Sequence, residues 1–231
     1  MPVIGDLLNP GDTAVLVVPI DLAAPKGRLI LPQVQTIRDI LDHDAYSLVV
    51  KERELKEALD NLKRPPRIVV TDSQEFLKVD ADTPPGVLLT SFSILMARHK
   101  ADLETLVSGA KAIGLMTAGD RILIAEGCTH HRQADDIGKV KIPRWLRQQV
   151  GGELNFEWVS GGTFPRDLSP YKLIVHCGSC MLTRREMLHR LSVAREQGVP
   201  IVNYGVLIAY VHGILRRALS PFPLAQMLLD E

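Results

Sequence analysis

Short runs of aliphatic and β-branched residues alternate with segments of helical period along the whole chain. That alternation predicts parallel strands covered by helices. The first series predicts strands at 14–19, 46–50, 67–71 and 87–89, with helices at 32–41, 51–62 and 101–115. In the last of these, Leu103, Leu106, Val107, Ala110 and Ile113 share one stripe, so the helix packs against something. Thr117-Ala118-Gly119-Asp120 reads as a turn, and a second series begins after it. It predicts strands at 121–125, 156–159, 172–175 and 201–203, helices at 143–150 and 183–197, and a terminal helix within 206–219. Thr183 and Glu186 have the spacing of a capping box, and Gly198 with Pro200 stops that helix. The expected fold class is α/β, with two small domains at 1–117 and 118–231, each a mostly parallel sheet flanked by helices. The apolar run at 87–96 is dense for so short a strand–helix unit, and is either core or subunit interface.

Charge adds little to this picture but excludes some partners. Lys plus Arg and Asp plus Glu are both 27 in 231 residues, so no global field draws the chain to nucleic acid or an anionic membrane. The longest apolar stretches are about a dozen residues, short of the roughly 20 that span a bilayer. The first residues lack the basic start, apolar middle and cleavage site of a secretory signal. A cytoplasmic location is therefore expected. Three cysteines, two of them a CxxC pair, in a reducing compartment argue against a disulfide framework and for a chemical use.

RILIAEGC puts Cys128 just past one predicted strand, and KLIVHCGSC puts Cys177 and Cys180 past another. Ligands gather at that edge of open parallel sheets. Two segments about fifty residues apart can thus deliver three thiolates to one point. A lone cysteine at a strand end is commonly just a small buried hydrophobe, and a lone CxxC divides among zinc, a redox dithiol and an iron–sulfur cluster. A thioredoxin-like pair needs no third cysteine. Zinc needs a closed fourth ligand, which His130, His131 or His176 can supply. A cubane cluster with one exchangeable iron suits three cysteines at least as well. Arg132, Lys139, Lys141 and Arg144 make the loop after Cys128 locally basic, either as a solvated face or as an attractor for an anion or acidic surface. Asn203 and Tyr204, at another strand end, are candidates to line the pocket.

Cys128-Thr129-His130, 45 intervening residues and His176-Cys177-Gly178-Ser179-Cys180 together resemble the CxH…HCxxC signature of the HydF family, the maturation factors of [FeFe]-hydrogenase. The segments PIDLAAPKGRLILPQVQTIRDIL, TDSQ and TSFSILMARHK are similar to that family as well. The resemblance implies a dimerisation domain followed by a cluster-binding domain, with Cys128, Cys177 and Cys180 ligating a [4Fe-4S] cluster. It implies His130 and His176 as a fourth ligand or as braces behind the cysteines. It further implies a homodimer through the first domain and a scaffold role: receiving a diiron subcluster precursor from the two radical-SAM maturases, HydE and HydG, and delivering it to apo-hydrogenase. The family is expected to begin with a GTPase domain, yet no GxxxxGK[ST] loop occurs here; beside Gly138-Lys139, Gln133 replaces the first glycine and Val140 the hydroxyl residue. This chain is therefore expected to be a non-enzymatic piece of a longer GTPase. The competing readings are a structural zinc-binding interaction domain and a thiol oxidoreductase using Cys177 and Cys180.

Overall fold

Thr13–Val17 reads TAVLV, and its last four residues are all buried, as a strand covered on both faces requires. In the computed structural model, which describes residues 2–19, 28–127 and 136–230, it forms the inner strand β1 of a parallel sheet. β2 (Tyr46–Val50) pairs on one side of it and β3 (Ile68–Thr71) on the other, and β4 (Leu88–Ser91) pairs with β3, giving the order β2-β1-β3-β4. Helices α1 (Leu31–Asp42), α2 (Leu55–Asp60) and α3 (Phe76–Asp82) lie between successive strands. Val15, Val17, Val69 and Leu89 pack on one face with Leu55 and Val79, while Ala14, Leu16, Ile68 and Val70 face the main core. That division follows the two-residue side-chain period of a strand.

Two consecutive helices, α4 (Phe92–Lys100) and α5 (Leu103–Ala110), lead to the second sheet. Ser91 caps α4 by accepting the Ile94 N–H, and Asp102 caps α5 by accepting that of Thr105. The second sheet has the strands β5 (Arg121–Glu126), β6 (Asn155–Ser160), β7 (Leu173–His176) and β8 (Ile201–Asn203), all parallel, in the order β6-β5-β7-β8. Its helices are α6 (Ile142–Val150), α7 (Arg184–Glu196), α8 (Tyr204–Val211), α9 (Leu215–Ala218) and α10 (Pro223–Met227). The α/β class with two mostly parallel, helix-flanked sheets is as the sequence predicts. A single apolar cluster runs from β1 and β3 through α4 and α5 to β5, β7, β8 and α8. Among the described residues no helix is long and apolar enough to cross a membrane.

Several expectations are redrawn. Val87, Leu89, Phe92, Ile94, Leu95 and Met96 are at most 3% exposed, so the apolar run at 87–96 is core of this chain and not an outward-facing surface. The terminal helix is two helices, because Gly213 adopts φ 73° and turns the chain between α8 and α9. The helix at 51–62 shrinks to Leu55–Asp60, and that at 101–115 ends as α5 before a 3₁₀ segment at Lys111–Leu115. Thr183 does cap α7, accepting the Glu186 N–H at 3.2 Å, but the Glu186 carboxylate turns to Arg190 instead of completing the box.

Candidate metal centre

The second sheet has a switch in its winding. From β5 the chain runs through α6 to β6 on one side, and from β7 through α7 to β8 on the other. Loops that part in opposite directions open a crevice at the carboxyl edge, the usual ligand position in such sheets. Cys177 follows β7 directly and Cys180 stands three residues on. Cys128 and His130, with His131 and Arg132, lie outside the described residues. The register sets Ala125 beside His176 and His176 beside Asn203, so β5, β7 and β8 end at one level.

Cys177 Sγ accepts the Gly127 N–H at 3.0 Å and the Ser179 N–H at 3.4 Å. Amides aimed at sulfur stabilise the thiolate over the thiol. Ser179 has φ 57°, a conformation that costs a non-glycine residue of order 1–2 kcal/mol. Its buried hydroxyl donates to the Cys177 carbonyl at 3.1 Å and sits 3.0 Å from His176 Nδ1, which offsets that cost. The loop is thus fixed by its own small side chain.

His176 is fully buried, and Arg190 Nη1 approaches its Nε2 at 3.0 Å. A guanidinium can only donate, so Nε2 accepts and the ring proton sits on Nδ1, which faces the Cys177 carbonyl at 3.1 Å. Burial, reinforced by the Arg190 charge, lowers the His176 pKa to about 4 and keeps the ring neutral. Its one lone pair is therefore committed to Arg190. Arg190 is itself fully buried and spends its other donors on Glu186 Oε1 at 2.9 Å and the Gly161 carbonyl at 2.8 Å, with Phe164 stacked 5.0 Å from the guanidinium.

The far wall begins with Glu126, 5% exposed at the end of β5. Tyr204 Oη donates to Glu126 Oε1 at 3.2 Å, and the phenol pKa is raised well above 10 by burial first and then by the negative charge of Glu126 and Cys177. Gly138 lies against both: a Cβ there would collide with Tyr204 Oη and stand 2.6 Å from Glu126 Oε1. Trp158 Nε1 donates to the Gly138 carbonyl at 3.0 Å. Asn203 faces the first half, its amide donating to Ser93 and its carbonyl oxygen capping α8. Two of the basic residues are engaged within the chain, Lys139 lying 5.8 Å from the Trp158 ring centre and Lys141 donating to Gln74 Oε1 at 2.6 Å, while Arg144 is exposed.

Among the described residues no three His, Cys, Asp or Glu side chains form a metal-holding group. The donor chemistry at the crevice nonetheless suits thiolate ligation, with two cysteines on a rigid loop and amides directed at the first sulfur. Arg190 and Glu126 are the site residues that pattern reading passed over. Arg190 had a signal, since it follows Glu186 by four residues and shares a helical face with Met187, Leu191 and Ala194. A charge on a buried face needs partners.

A family model described as the hydrogen maturase F tetramerization domain matches residues 104–221, and one described as the hydrogen maturase F dimerization domain matches residues 3–101. No curated protein matches. Solved structures with some likeness include Mycobacterium tuberculosis shikimate dehydrogenase, at 13% identity over 96% of this chain and 95% of that one with a TM-score of 0.32. A carbohydrate transporter from Acidothermus cellulolyticus 11B in complex with myo-inositol has 11% identity, coverage of 96% and 85%, and a TM-score of 0.29. Likeness that slight supports no inference.

Proposed function

The chain belongs to the hydrogen maturase F family, and on that premise we propose that it is the part of a hydrogenase maturation factor that holds a [4Fe-4S] cluster through Cys128, Cys177 and Cys180. The observation that carries the proposal is the bond from Gly127 N–H to Cys177 Sγ at 3.0 Å. Gly127 precedes Cys128 in the sequence, so the two cysteine-bearing segments meet at the sulfur of one of them.

The matched segments are oligomerisation domains, not catalytic ones, and the chain self-associates. We assign the homodimer contact to the first half. When bound, the cluster supplies an iron with an exchangeable position at which a diiron precursor can be received before delivery to apo-hydrogenase. HydE and HydG are the proposed sources of that precursor. His176, with its lone pair taken by Arg190, braces the loop behind Cys177. The fourth position is then left to His130 or solvent.

The test is anaerobic reconstitution of the chain with iron and sulfide, followed by EPR of the reduced protein. Wild type is expected to give a [4Fe-4S] signal that is lost in Cys128→Ser, Cys177→Ser and Cys180→Ser. One tightly held zinc and no EPR signal would sink the cluster in favour of a structural zinc site. Thiol exchange that survives Cys128→Ser, in a chain that takes up no iron, would favour a dithiol oxidoreductase.

A further inference from the structure

The end of α4 and the CxxC loop hold one another by their backbone carbonyls. Lys100 Nζ donates to the carbonyls of Ser179 at 3.3 Å, Cys180 at 2.7 Å and Leu182 at 3.1 Å. Arg184 Nη1 reaches back to the carbonyls of His99 at 2.9 Å and Ala101 at 3.1 Å. An ammonium has three donors. All three of Lys100's go to one turn of chain, so this side chain is spent on fixing where Cys180 stands.

The ammonium is itself held in place from behind. Ile94, Leu95, Met96 and Ala97 bury α4 in the core. At the helix start, Ser93 Oγ accepts from Gly205 N–H at 3.1 Å and from the Asn203 amide at 3.1 Å. A Cβ on Gly178 would stand 3.7 Å from that same Ser93 oxygen. The first half's helix therefore backs the loop from Gly178 to Leu182. Met96, Ala97, Lys100, Cys177, Gly178 and Ser179 line a cavity of only about 10 Å³ between them, room for one water at most. The loop has little slack against this support.

Resting on the cluster reading above, we infer that Lys100 is a positioning residue for the Cys177–Cys180 loop and that its charge raises the reduction potential of the cluster held there. Adding an electron makes a thiolate-bound cluster more negative, and a fixed cation beside the ligand loop favours that state. Lys100→Met keeps the aliphatic stem and removes both charge and donors. Lys100→Arg keeps the charge.

Two measurements decide it. In the metal-free chain, Lys100→Met is expected to speed amide hydrogen exchange across residues 177–183 by roughly tenfold or more, as loss of charge-assisted bonds predicts. After reconstitution, the cluster held by Lys100→Met is expected to show a lower midpoint potential and altered EPR g-values, while Lys100→Arg stays near the wild-type potential. Unchanged exchange in Lys100→Met would overturn the positioning role, and an unchanged potential would overturn the electrostatic one. Should Lys100→Met fold poorly, Lys100→Leu also removes both charge and donors and gives the same two readouts. If wild type takes up no cluster, the proposed function fails by itself, and the exchange experiment on the metal-free chain still judges Lys100.

Discussion

Arg190 Nη1 lies 3.0 Å from His176 Nε2 with both side chains wholly buried, so a cation and a neutral imidazole meet directly behind Cys177. The same guanidinium also holds Glu186 and the Gly161 carbonyl. Arg190→Met leaves those acceptors without their donor, and is expected to cost about 3–5 kcal/mol. Arg190→Lys is expected to recover less than half, because one ammonium lacks the planar fork that serves all of them. Urea unfolding of the metal-free chain measures both.

The buried ring also predicts a dependence on acidity. His176 has its pKa lowered to about 4 by burial, against 6.5 for an exposed ring. Below pH 6.5 the unfolded chain binds a proton that the folded chain refuses until about pH 4. Stability is therefore complete above that window and falls as pH drops through it, by on the order of 3 kcal/mol. Chemical denaturation of the metal-free chain across the window should show that slope, and His176→Gln should flatten it. An equally steep slope in the variant would assign it to other groups.

Gly138 and Gly109 are among the glycines required by close approach. A Cβ on Gly138 would meet Tyr204 and Glu126, and one on Gly109 would drive into the Ile201 carbonyl of β8. Gly138→Ala and Gly109→Ala are each expected to lower stability by about 1–3 kcal/mol or more, as overpacking does. Gly162→Ala meets nothing within 4 Å and is the matched control, with a thermal midpoint expected close to wild type.

Metal removal is expected to leave the fold standing. Each sheet is buried within an apolar core to which neither Cys177 nor Cys180 contributes. A small zinc domain, by contrast, unfolds when stripped. Treating the reconstituted chain with a chelator should abolish its visible absorbance and leave far-UV circular dichroism and cooperative unfolding intact. Collapse of the circular dichroism on chelation would point to a structural metal.

The strands were legible because they read as aliphatic and β-branched runs, even where the strand is a half-exposed edge such as β2: β2 and β8 match their predicted bounds, β5 runs one residue further, to Glu126, and β7 is shifted by one, to Leu173–His176. The stripe of Leu103, Leu106, Val107 and Ala110 announced a packed helix, but periodicity cannot say which sheet receives it. The placement of Cys177 at a strand end was likewise readable, since strand and loop adjoin in sequence. What surrounds it was not. Arg190 reaches His176 across 14 residues, and Lys100 reaches the CxxC loop across 80, and such pairings follow from how helices pack. Ser179 in a left-handed conformation was hidden too, because serine carries no mark of it as glycine would.

The family segments meet near residue 102, between α4 and α5, and a dissection of this chain would be drawn there. Chemistry draws no line at that point. Cutting at residue 102 would leave Lys100 on one fragment and its three carbonyls on the other, with Arg184 parted from His99 and Ala101. The loop that carries two of the three cysteines is thus built by both halves of the polypeptide, and a fragment with every cysteine would still lack a component of its own ligand loop.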